Sequence, residues 1–142
     1  MIFLDTNLLW WVAHPAGGPD AELLREKLKT RLNAGEVLAV AEICDYEARR
    51  ELLRKNATGQ LGRLDRFIGL TTYVPINTAA MRTAAILWAN LRNAGRQLSP
   101  DDALDGDVIL AAQAGQYPGH VVATKNLKHL TQICNAIDWR AL

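Results

Sequence analysis

Apolar residues fall along this chain in two spacings. Short unbroken apolar runs occur in MIFL (1–4), EVLAVAEI (36–43), TTYVPI (71–76) and HVVATKN (120–126). A strand covered on both faces has no polar side to display, so MIFL reads as a short fully buried strand, and the other three segments read as strands. Between them the spacing changes to that of amphipathic helices. NLLWWVAH (7–14) reads as a helix ending near Pro15 and the Gly17-Gly18-Pro19 turn. DAELLREKLKTRLNAG (20–35) places Leu24, Leu28 and Leu32 one turn apart before Gly35 stops the helix.

CDYEARRELLRK (44–55) follows, with Asp45 as a candidate cap, Ala48, Leu52 and Leu53 facing inward and arginines outward. GQLGRLDRFIGL (59–70) continues as a further short helix. In NTAAMRTAAILWANLRNAG (77–95), the longest helical pattern, Met81, Ala84, Ala85, Trp88 and Leu91 form one stripe, expected to be core rather than a binding groove. RQLSPDDALDGD (96–107) is polar, contains Pro100 and reads as a loop into the apolar helix VILAAQAG (108–115). TQICNAIDWRAL (131–142) reads as a short last strand or an irregular tail. Strands alternating with helices predict an α/β fold, a mostly parallel central sheet with helices on both faces. No repeat or linker divides the chain, so residues 1–142 are expected to form a single domain.

Composition narrows the function classes. A chain of 142 residues buries a core without disulfides or zinc. Sixteen Lys and Arg against fifteen Asp and Glu leave a net charge of +1, so any contact with nucleic acid must come from a local patch. Cys44 and Cys134 lack metal-type spacing and read as reduced core thiols of a cytoplasmic protein. The apolar start carries no basic leader and is broken by Asp5, and no run reaches the roughly eighteen apolar residues of a membrane helix. A cytoplasmic location away from the membrane is therefore expected. His14, His120 and His129 show no ligand spacing and are assigned surface or capping roles. Trp10 and Trp11 point about 100° apart on a helix, which leaves either a subunit contact for one of them or two edges of one core patch.

Each predicted strand end has a polar residue beside it. Asp5 follows the first strand, Glu47 lies in the first helical turn after the second, Asp107 opens the helix at 108–115, and Asn126 follows the fourth strand. In a parallel sheet these ends point the same way, so residues far apart in sequence can converge on one crevice. Blander readings stand beside this one. Asp5 also suits a turn or an N-cap, and Glu47 an ordinary acid near a helix N-terminus. Glu42 and Glu51 compete with Glu47, and Asp101, Asp102 and Asp105 compete with Asp107. Three carboxylates about 4 Å apart would repel by roughly 4 kcal/mol per pair at an effective dielectric near 20, so a core would not keep them without compensation. A hard divalent cation, Mg2+ or Mn2+, supplies that compensation through oxygen ligands. Such an ion also activates water and stabilises charge on phosphoryl oxygens, which suits phosphodiester hydrolysis.

Taken together, LDTN, YEARREL, DGDVILAAQA and VVATKN resemble the PIN domain, the fold of metal-dependent ribonucleases that includes the VapC-type toxins of toxin–antitoxin pairs. The resemblance spans nearly the whole chain and rests on the order and spacing of the motifs, none of which is specific alone. It implies a PIN-like domain in which Asp5, Glu47 and Asp107 are the catalytic, metal-binding acids and Thr124 is a supporting hydroxyl. Asn126 stands where many members carry a fourth aspartate. An amide there keeps an oxygen ligand and removes one charge, so the resemblance supports metal dependence more firmly than two-metal catalysis. It further implies an RNA substrate and a homodimer, and either a stand-alone nuclease or the toxin of a pair, whose small antitoxin partner fills the acidic groove with one segment.

Arg49, Arg50 and Arg54, with Lys55, Arg63 and Arg66, form either a path for an RNA strand or a solvated face with ion pairs to Glu51 and Asp65. Lys125 and Lys128 flank Asn126 and are better placed to meet a phosphate. The leading expectation is a metal-dependent endoribonuclease. The alternative is a catalytically inactive PIN-fold module that binds RNA or protein, suggested by Asn126 and the near-neutral charge. Phosphoryl transfer through an aspartyl-phosphate, as in haloacid-dehalogenase-like phosphatases, fits less well, because their Asp-x-Asp pattern here has Asn7 at its second position.

Overall fold

The computed structural model describes residues 1–95 and 101–142, the side chains of 101–103 excepted. The elements run β1 (Ile2–Leu4), α1 (Thr6–Ala13), α2 (Gly18–Asn33), β2 (Leu38–Ala41), α3 (Glu42–Arg54), α4 (Thr58–Ile68), β3 (Thr72–Val74), α5 (Thr78–Asn93), α6 (Asp101–Gly115), β4 (Val121–Thr124), α7 (Leu127–Leu130) and β5 (Ala136–Asp138), with a closing 3₁₀ turn at Trp139–Ala141. All five strands are parallel, in the order β3-β2-β1-β4-β5.

Every residue of β1 and β2 is buried, the pattern of strands covered on both faces. Helix α1 packs on α2, α3 and α4, while α6 packs on α5 and α3 and against β2 and β4. The chain winds outward from β1 through β2 to β3, then returns to the other side of β1 for β4 and β5. Neighbours in space but far apart in sequence, β1 and β4 pair with Leu4 opposite Ala123. This is the switch point of an open α/β sheet, and its crevice lies beyond the carboxyl ends of the two strands.

The structure redraws several boundaries read from sequence. EVLAVAEI is a strand only to Ala41, and α3 begins at Glu42. Asp45 therefore lies inside the first turn, where it accepts from Arg49 at 3.0 Å and caps nothing. Glu47 sits in the second turn of α3 rather than the first. The segment read as a loop at 96–107 is helical from Asp101, so Asp107 lies nearly two turns into α6 and does not open it, while residues 96–100 fall outside the described residues. Acidic residues at a helix start complement its dipole, which is why an acidic run is compatible with helix here.

The stripe on α5 is only partly core. Ala80, Ala84 and Leu91 are buried against Leu104, Val108 and Ala112 of α6. Met81 and Trp88 stay exposed, at 43% and 39%, and with Ala85 they line an open groove of about 400 Å3. Small alanines let α6 approach closely along one line, and the bulkier neighbours are left on its flank. The two adjacent tryptophans also part company. Trp11 packs edge-on against the buried Trp139, with ring centroids 5.2 Å apart, whereas Trp10 faces outward. Cys44 and Cys134 are both free thiols, the first buried and the second half-buried. Among the described residues no helix is long and apolar enough to cross a membrane.

Candidate active site

Asp5 ends β1 and stands at the N-cap position of α1, yet its side chain makes no capping hydrogen bond. Its Oδ2 instead accepts from Thr124 Oγ1 at 2.6 Å, across the switch point, and from the Asn7 amide. The backbone N–H of Asn126 donates to Thr124 Oγ1 at 2.9 Å, and that of Lys125 donates to Asn7 Oδ1 at 3.3 Å. The turn after β4 is thereby tied to the turn after β1. Asp5 is only 7% exposed and Thr124 is fully buried. Burial pushes the Asp5 carboxyl above its ordinary range, helped by the charge of Glu47 and opposed by the hydrogen bonds from Thr124, the Thr6 backbone and Asn7.

Glu47 reaches the same place from α3. Its Oε2 accepts from Thr6 Oγ1 at 2.6 Å. Gly106 of α6 leaves the carboxylate its room, since a Cβ there would stand 2.2 Å from Oε1. Asp107, the next residue, brings a third carboxylate from α6. The resulting cleft, about 330 Å3, is lined by Asp5, Thr6, Asn7, Trp10, Glu47, Arg50, Glu51, Asp107 and Asn126. Three of the four strand-end candidates are carboxylates and the fourth is an amide, so the donor set is all oxygen, the chemistry a hard divalent cation selects. Among the described residues no three acids, histidines or cysteines are gathered closely enough to ligate one ion, so these side chains stand as separate donors around a common space. A larger hollow of about 460 Å3, lined by Val12, Arg25, Leu28, Lys29, Leu32, Asn33, Phe67 and Leu70, carries no carboxylate and offers no such donor set.

No family model matches the sequence, and no curated protein matches it significantly. Solved structures do. VapBC2 from Rickettsia felis, bound to a DNA fragment from its promoter, is similar at a TM-score of 0.76 and 19% identity, covering 98% of this chain and 99% of that one. DNA-bound VapBC from Salmonella typhimurium is similar at 0.70 and 25% identity, covering 97% of each chain. VapBC-1 from nontypeable Haemophilus influenzae is similar at 0.68 and 20% identity, covering 99% of each. The fold is PIN-like.

Within this PIN-like fold the basic candidates separate. Arg50 lines the cleft, its guanidinium 5.1 Å from the centroid of the Tyr46 ring. Arg49 bridges Asp45 and Asp65 at 3.0 and 2.7 Å, away from the cleft lining, and Arg54 pairs at 2.9 Å with Glu51, which lines the cleft. The Lys125 ammonium rests 3.9 Å from the centroid of the Trp11 ring, and Lys128 is exposed on α7. Of the competing acids, Glu42 accepts from the Ile76 backbone N–H at 2.6 Å and Glu51 lines the cleft. Asp105 lines the α5–α6 groove, and the side chain of Asp102 lies outside the described residues. Sequence reasoning did not anticipate the roles of Thr6, Gly106 and Trp10. The glycine directly before Asp107 was the one visible signal, because a glycine inside a helix costs about 0.5–1 kcal/mol relative to alanine and calls for a spatial reason.

Proposed function

We propose that this PIN-like domain is an endoribonuclease of the VapC type, dependent on Mg2+ or Mn2+, that acts as the toxin of a toxin–antitoxin pair. The observation that carries the reading is the meeting of Asp5, Glu47, Asp107 and Asn126 in one cleft at the β1/β4 switch point. Asp5, Glu47 and Asp107 stand as separate donors and would have to draw together to hold one ion, with the Asn126 amide as a further oxygen donor. The ion supplies water activation and neutralises charge on the phosphoryl oxygens. Thr124 and Asn7 orient Asp5, Thr6 orients Glu47, and Arg50 offers a cation to an RNA phosphate entering the cleft. The solved structures of similar fold are VapBC assemblies, which supports an antitoxin as partner here. A homodimer is the assembly we expect.

The test is cleavage of a mixed RNA by wild type and Asp5→Asn, each with Mg2+, Mn2+ or a chelator. Cutting by wild type alone, and only with metal, is expected. Cutting that persists unchanged in chelator would overturn the metal-dependent reading. Tight RNA or protein binding without turnover in every condition would replace it with that of an inactive binding module.

A further inference from the structure

The cleft wall carries one side chain that hydrolysis leaves without a task. Trp10 is 43% exposed, and every other residue lining the cleft is polar or charged. Its neighbour Trp11 shows what a structural tryptophan does in this helix, with one ring edge against Trp139 and its face under Lys125. Among the described residues Trp10 has no ring partner, no cation over its face and no acceptor for its indole N–H. The part of its π-face left in water, in a cleft lined by four carboxylates, gains nothing for folding. With the Arg50 guanidinium in the same cleft lining, it matches a ligand that is flat and apolar on one part and anionic on the next.

Resting on the nuclease reading above, we infer that Trp10 is the stacking platform for one nucleobase of a single-stranded RNA whose neighbouring phosphate lies between Arg50 and the carboxylates. A base within a duplex has both faces covered, so only an unpaired base lies flat on an indole. Substrate choice at this position then follows strandedness. Stacking tolerates any base, because every base has a π-face, so Trp10 selects unpaired segments without reading their sequence.

The experiment compares wild type, Trp10→Phe, Trp10→Leu and Trp88→Ala on a single-stranded oligoribonucleotide and on the same oligonucleotide with an abasic residue beside the cleaved bond. Trp10→Leu keeps an apolar side chain and removes the π-face. It is expected to lower kcat/KM by about 5- to 150-fold, mainly through KM, while Trp10→Phe stays within a few-fold of wild type. The abasic substrate should slow wild type by a similar factor and Trp10→Leu no further. Trp88→Ala, an equally exposed tryptophan on α5, should leave cleavage unchanged. RNA should also quench intrinsic fluorescence in wild type and less in Trp10→Phe.

Equal rates for wild type and Trp10→Leu would overturn the stacking role and leave the nuclease standing. Loss of a dimer in Trp10→Leu with unchanged RNA cleavage would overturn it too, and assign Trp10 to a subunit contact. A wild type that neither binds nor cuts RNA would remove both readings together.

Discussion

Two buried polar clusters join distant parts of this chain, and they differ in charge. At the first, Gln113 of α6 is fully buried, donates to the Val74 carbonyl at 2.7 Å and accepts from the Ile43 N–H at 3.3 Å. Ile43 is among the first residues of α3, whose leading N–H groups have no partner within the helix, so one amide closes a helix end against a strand end. At the second, Asp5 and Glu47 are held just as firmly, by Thr124, Asn7 and Thr6. Those bonds orient the carboxylates and leave their negative charge in place. Burial of a polar group is therefore no sign of function by itself. Donors and acceptors balance at Gln113, whereas acids accumulate at Asp5, with Arg50 the one basic residue of the cleft lining among the described residues.

Substitution separates the two clusters. Asp5→Asn keeps an oxygen for Thr124 and removes a buried charge beside Glu47, so its melting temperature should equal or exceed that of wild type. On the proposed metal-dependent nuclease function, RNA cleavage by this variant should fall by at least about 100-fold, since even partners one shell away from a metal typically cost about 10- to 100-fold. A stability loss comparable to the activity loss would make Asp5 a structural residue. Gln113→Leu should do the reverse. It leaves the Val74 carbonyl and the Ile43 N–H without their amide and should cost about 2–3 kcal/mol in urea unfolding, while the folded protein retains its kcat.

Gly106 sharpens the comparison because stability and activity should move in opposite directions. Alanine there improves helix propensity by about 0.5–1 kcal/mol. Its Cβ also meets the end of the flexible Glu47 side chain, which is displaced rather than crushed. Gly106→Ala is thus expected to melt at or above wild type and to cleave RNA about tenfold more slowly. Equal activity in Gly106→Ala would show that the position of the Glu47 carboxylate does not matter.

Legibility from sequence followed the same division. The parallel strands could be read because apolar runs and chain order specify them, whereas the placements of Glu47 and Asp107 relative to their helix starts could not. What sequence left open was which of several similar acids faces the cleft. Glu42, Glu47 and Glu51 share one helix, and only their three-dimensional partners separate them. Glu42 is drawn away to the Ile76 N–H, while Glu47 and Glu51 both line the cleft, the first held by Thr6 and the second by Arg54. The start of α6 was misread because a run of acids resembles solvated loop, although Pro100 followed by two aspartates is equally a helix-start signal. The outward turn of Trp10 was invisible, since adjacent tryptophans differ only in azimuth.

The smallest expected effect lies at the β3 edge of the sheet, where a neutral group faces acids. The Tyr73 hydroxyl donates to Asp45 Oδ2 at 3.2 Å, and its pKa is pushed up to about 12 by burial first and then by the charges of Asp45 and Glu42. In the unfolded chain a tyrosine ionises near 10, so between about pH 10 and about 12 the unfolded state loses this proton while the folded state keeps it. Stability from Tyr73 is therefore complete below about pH 10 and is lost as the pH rises through about 12. Cys134, whose thiol burial pushes up to about 12, adds a slope of the same sign, so the informative quantity is the difference between wild type and Tyr73→Phe. Urea midpoints measured through this range should fall less steeply in Tyr73→Phe. Parallel curves would mean that Tyr73 meets the same surroundings folded and unfolded, and that the Asp45 contact adds nothing at that edge.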